Sequence, residues 1–144
     1  MKREGQRALL RAMGAGFATG LRSMTGPAAT IVAGGNRFAP LAVAMALGEF
    51  VVDKLPGIPA RVQPPGLAFR LLAGGFSGGV IARRADVAVP LGVLAGAIGA
   101  LAGAYGGYRL RAYLTVGRGW PALPVALAED AAAVGIARLA TAVG

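Results

Sequence analysis

Gly92-Val93-Leu94-Ala95-Gly96-Ala97-Ile98-Gly99-Ala100-Leu101-Ala102-Gly103-Ala104-Tyr105-Gly106-Gly107 carries no charge and returns to glycine at steps of 4, 3, 4 and 4. That spacing lays Gly92, Gly96, Gly99, Gly103 and Gly107 along one face of a helix. In water each such glycine costs a helix about 1 kcal/mol relative to alanine. In a bilayer the same stripe is a flat seam on which a second backbone can lie close. The stretch therefore reads as a helix built for lipid. Ala8, Ala12, Gly16 and Gly20 repeat the pattern, as do Gly74/Gly78 and Gly75/Gly79. These seams serve the packing of one chain or a homo-oligomer face.

The composition agrees with a membrane solvent. Hydrophobic residues make up 56% and charged residues 15%, whereas soluble chains carry about 25% charged. The absence of Cys and His excludes disulfides, thiolate or imidazole metal sites, and Cys or His nucleophiles and bases. The net charge of +9 would suggest nucleic acid in a soluble chain. Here the cations fall between apolar segments, so the partner they imply is the lipid bilayer and no nucleic acid. Arg11 interrupts the apolar core that a cleaved signal peptide would need.

Five apolar segments follow, at about 8–25, 40–55, 66–82, 87–114 and 121–143, with 28–35 as a short re-entrant or interfacial piece. Several are shorter than the ~20 residues of a spanning helix. The predicted fold is all-α, a single membrane domain over 1–144 forming a polytopic bundle of about five short, Gly-rich helices. Counting basic residues with alternating spans puts ten on the N-terminal side and four opposite, which predicts a cytoplasmic N-terminus in a bacterial inner membrane. Arg83-Arg84 runs against that count.

Gly16-x-x-x-Gly20-x-Arg22 matches Gly103-x-x-x-Gly107-x-Arg109, and each is followed by a Pro-led segment carrying an acid, Glu49 after Pro40 and Glu129 after Pro121. With three segments between the starts of the two units, about 8–82 and 88–144, the expectation is a pair of inverted repeats (3+2).

Glu49 and Glu129 lie roughly 12–14 Å past their helix starts, near mid-membrane. An isolated acid there costs about 2.5–3.5 kcal/mol on insertion scales. Asp53 shares the face of Glu49, while Asp130 points about 100° from Glu129. Such groups are expected inside the bundle, paired or reached by water. Arg22 and Arg109 are the candidate partners, because a guanidinium stays charged and holds a carboxylate through two hydrogen bonds. Ser23, Thr25, Gly26 and Pro27 read as a helix break beside this charge site, tolerated in lipid only where protein or water covers the freed backbone.

The blocks Thr19-Gly20-Leu21-Arg22-Ser23-Met24-Thr25-Gly26-Pro27-Ala28, Gly48-Glu49-x-x-x-Asp53-Lys54-Leu55-Pro56, Pro59-x-Arg61-x-x-Pro64-Pro65-x-Leu67-x-x-Arg70 and Glu129-Asp130 together resemble a bacterial integral membrane family catalogued as domain of unknown function 4126. The resemblance implies a small inner-membrane protein and carries over no catalytic residue. Two functions fit the residues: a small transporter or channel for an ion or small solute at the Arg/Glu site, or a non-catalytic scaffold or assembly subunit with a structural Arg–Glu lock. An enzyme is not expected, since no carboxylate spacing resembles a metal motif, and neither cofactor nor metal is implied.

Overall fold

The computed structural model describes residues 2–52 and 62–142, so Asp53, Lys54 and Arg61 of the predicted motifs lie outside the described residues. The described chain is all-α, with no strand: α1 (Lys2–Leu21), α2 (Thr25–Ala33), α3 (Ala39–Val52), α4 (Pro64–Arg84), α5 (Val89–Ala112) and α6 (Ala122–Thr141). A π-helical turn, Tyr113–Gly117, continues α5. Two stretches, Pro64–Arg84 and Val89–Gly117, are long and apolar enough to cross a membrane.

Glycine decides how three of these helices meet. The carbonyl of Gly96 occupies the space a Cβ on Gly16 would take, and that of Phe17 the space beside Gly103. On the other side of α5, Gly78 and Gly92 lie backbone to backbone, and the Gly74 carbonyl meets Gly96. Gly92, Gly96, Gly99, Gly103 and Gly107 are all buried, as their shared face predicts. α6 packs on another side of α1, where a Cβ on Gly14 would come into van der Waals contact with Ala140.

These contacts also give direction. Gly16 faces Gly96 and Gly20 faces Gly103, so α1 and α5 run parallel; Gly74 faces Ala100 and Gly78 faces Gly92, so α4 runs against both. The expected inverted repeat is therefore corrected, since the two matching glycine helices would have to be antiparallel. The reason is one miscounted element. The stretch Thr25–Ala33, which includes Gly26-Pro27, is a helix of its own, α2, which turns back along α1, with Gly26 beside the Ala15 carbonyl and the Thr19 hydroxyl. It adds one reversal between α1 and α5 and makes six helices where five segments were counted.

The same reversal corrects the charge count. Arg109, Arg111 and Arg118 follow the upward course of α5 and end opposite the N-terminus of α1. Arg83-Arg84 end α4 at the N-terminal side, where Val87 lies within reach of a Cβ placed on Gly5. Arg37, in the turn after α2, belongs there too, since Gly34 adjoins the Arg84 guanidinium.

The bundle is inside out by the standard of a water-soluble domain. Its buried apolar residues are mostly alanines, among them Ala12, Ala15, Ala18, Ala100 and Ala133. Leu10, Leu41, Leu72, Ile98, Leu127 and Leu139 point outward, each more than half exposed. The largest fully buried side chain is an arginine, Arg22.

Candidate functional site

The chain breaks its helix at Arg22-Ser23-Met24, between α1 and α2. Gly26 and Pro27 are not the break, as the sequence suggests, but lie in the first turn of α2. Proline fits there because the first amides of a helix have no partner within it. A break of this kind leaves carbonyls at the end of α1 and amides at the start of α2, each carrying a partial charge from the helix dipole.

Both sets are met by side chains from elsewhere in the bundle. Arg70 of α4, which is buried, donates from Nη1 to the carbonyls of Gly20 at 3.0 Å and Thr19 at 3.4 Å. Glu49 of α3 accepts from the backbone amides of Ser23 at 2.7 Å and Met24 at 2.8 Å, and from the Ser23 hydroxyl. A cation thus sits at the negative end of α1 and an anion at the positive end of α2. The two are themselves close, with Arg70 Nη2 at 3.8 Å from Glu49 Oε1. At the far end of α2, Arg84 donates to the carbonyl of Thr30 at 2.9 Å. A helix of nine residues, too short to be stable by itself, is held by an acid at one end and a base at the other.

Arg22 takes a different acid. Its Nε and Nη2 both donate to Oδ1 of Asp130 on α6. Asp130 is one of the acids for which Arg22 is the candidate partner; Glu49 is engaged as described, and Glu129 lies beside Arg111, whose Nη1 is 3.9 Å from Glu129 Oε2. Adjacent residues on a helix diverge by about 100°, so Asp130 can reach α1 while Glu129 turns toward α5, where it lies beside Gly107. Arg109 is exposed and joins none of these contacts. Thr25 is buried, and no hydrogen-bond partner meets its hydroxyl.

No family model matches the chain, and neither a curated protein nor a solved structure matches it. The resemblance to the membrane family named above thus stands on its quoted motifs alone.

Three arginines in these contacts are not among the charge-site residues the sequence predicts: Arg70 at the junction, Arg84 at the far end of α2 and Arg111 beside Glu129. Arg70 carried a usable sign, since it sits inside the apolar run of 66–82 rather than at its edge. Arg84 and Arg111 carried none, because a cation near a helix C-terminus is common for dipole reasons alone.

Two open spaces adjoin the charges. A groove of about 680 Å³ lies among α2, α3 and α6, walled by Ala28, Val32, Val43, Leu47 and Val134, with Thr25 and Arg138 also on its lining. A second, of about 450 Å³, lies among α1, α5 and α6, with Arg111 and Glu129 on its wall. Among the described residues no three carboxylates gather as a metal site.

Proposed function

We propose that the protein is a multi-pass integral membrane protein acting as a non-catalytic scaffold or assembly subunit, with its buried charges as a structural lock. In this reading α1, α4, α5 and α6 form a membrane layer, with α2 and α3 as shorter helices beside them. The end bearing Arg3, Arg7, Arg11, Arg37, Arg83 and Arg84 faces the cytoplasm, following the preference of basic residues for that side.

The observation that carries this reading is the reversed packing. An alanine and glycine interior gives a soluble protein little to bury, and leucines spread over the outside would be a large contiguous apolar surface in water. In lipid both become ordinary, because association there depends on close backbone packing and paired polar groups. The pairing of Arg22, Arg70, Glu49 and Asp130 favours the lock: the Asp130 and Glu49 side chains are only 14% and 12% exposed.

A second reading is a small transporter, favoured by one feature. A discontinuous helix whose N-terminus faces a carboxylate is how several transporters hold substrate, and the groove among α2, α3 and α6 reaches Thr25 at that N-terminus. Membrane fractionation with an alkaline carbonate wash tests the shared premise; release of the chain into the wash would sink both readings. Proteoliposome flux then separates them. The lock predicts no ion- or pH-driven flux in wild type and a strong loss of thermal stability in Asp130→Asn. The transporter predicts flux in wild type that disappears in Glu49→Gln while that variant remains folded in the membrane.

A further inference from the structure

α5 and α6 follow one another in sequence, yet both lean on α1 and leave an apolar trough between them. Its walls are Phe17, Leu21, Leu110, Leu114, Val125 and Ile136, and Gly106 adds open space, since a Cβ there would meet nothing within 4 Å. Water has no partners along such walls, and an empty trough would forfeit the dispersion contacts of every lining atom. In a bilayer, a hydrocarbon chain fills it.

One end of the trough is chemically different. Trp120 closes it, brought back toward α5 by the positive φ of Gly119 and by a hydrogen bond from its amide to the Leu114 carbonyl at 3.0 Å. Tryptophan favours the headgroup level of a membrane, where its ring is apolar and its N–H is wet. Arg111 lines the same trough with a side chain 35% exposed, so its pairing with Glu129 leaves donors facing outward. Arg118 stands in the adjoining turn, its Nε 3.2 Å from the Tyr113 hydroxyl. Among the described residues at this end, two guanidiniums stand against the one carboxylate of Glu129, and arginine is the side chain best shaped to hold a phosphate.

We propose that the trough between α5 and α6 seats one acyl chain of an anionic phospholipid, with the lipid phosphate held by Arg111 at the Trp120 end. This rests on the membrane reading above, and the carbonate wash tests that premise separately. The site makes the protein a selective lipid binder rather than a body bathed in exchangeable lipid.

The test uses the full chain purified in a mild detergent, with phosphatidylglycerol, phosphatidylcholine or inorganic phosphate as probes. Phosphatidylglycerol should co-purify at roughly one per chain and raise the thermal midpoint by about 5 °C, as a ligand binding only the folded state does. Phosphatidylcholine should give a smaller shift and inorganic phosphate none. Gly106→Leu, which fills the trough without touching the charges, should abolish both the bound lipid and the shift while leaving helicity unchanged. Arg111→Gln should remove the preference for phosphatidylglycerol over phosphatidylcholine. Equal shifts from the two lipids in wild type, or bound phosphatidylglycerol retained in Gly106→Leu, would overturn the proposal even in a chain that resists the carbonate wash.

Discussion

Arg22, at the end of the first helix, is 1% exposed and gives two donors to a single carboxylate oxygen of Asp130 on the last helix. The pair ties the end of α1 to the neighbouring α6. A buried ion pair contributes little net stability when formed but costs about 3–5 kcal/mol when one partner alone is removed. Asp130→Asn should therefore lower the thermal midpoint in detergent severely. The double variant Arg22→Met/Asp130→Leu should recover part of the loss, because it removes both charges of the pair together. A double variant no better than Asp130→Asn would mean that the pair does more than compensate itself.

Glu49 acts as a cap supplied from another helix. Losing a helix cap costs about 0.5–2 kcal/mol, and Glu49 also faces Arg70, so Glu49→Ala should fall at or above the top of that range. Glu49→Gln keeps one acceptor oxygen, which can serve the Ser23 or the Met24 amide but not both, since the carboxylate meets them with different oxygens, and should cost less than Glu49→Ala. Hydrogen exchange locates the effect: amides of Ser23, Met24 and the first turn of α2 should exchange faster in Glu49→Ala, while those of α5 stay protected. Uniform loss of protection through the bundle would argue against a local cap.

The glycines divide into two groups that the sequence does not distinguish. A methyl on Gly96 would run into the backbone of Gly74, and one on Gly78 into that of Gly92, whereas Gly48 and Gly135 face open space. Gly96→Ala should force the helices apart and destabilise by about 1–3 kcal/mol, the usual cost of overpacking. Gly135→Ala should be neutral or stabilising by up to about 1 kcal/mol, from helix propensity alone. Thermal midpoints of the two variants in the same detergent check both signs.

Periodicity made the helices legible, because a one-face glycine pattern has a single structural use in so apolar a chain. Depth made the acids legible as paired groups, since an uncompensated charge inside lipid is expensive. The identity of each partner was not legible. Asp130 and Glu129 are neighbours in sequence, and which of them meets Arg22 depends on the rotation of α6 about its axis, set by packing on α1 and α5. Arg70 was hidden for a related reason: a cation in an apolar run marks a buried acceptor, but here much of that acceptor is the carbonyl end of α1, which no side-chain pattern reveals. The short helix α2 misled most. Gly26-Pro27 reads as a stop, yet both residues suit a helix's first turn, and one uncounted reversal overturned the repeat and the charge partition together.

That reversal can be tested directly, because the chain has no cysteine and single cysteines can be placed at will. α1 and α5 run parallel, so Gln6, Asn36 and Ala85 belong at one end of the bundle and Arg118 at the other; all four are exposed. Five alternating spans would instead put Asn36 and Ala85 opposite Gln6, and Arg118 with it. A membrane-impermeant maleimide applied to spheroplasts decides between the two arrangements. Arg118→Cys should react in intact spheroplasts, while Gln6→Cys, Asn36→Cys and Ala85→Cys should react only after lysis, given the basic residues gathered at their end. Labelling of Asn36→Cys together with Arg118→Cys would contradict the helix directions, whichever side faces out. Labelling of the other three before lysis, with Arg118→Cys protected, would keep the fold and reverse its orientation.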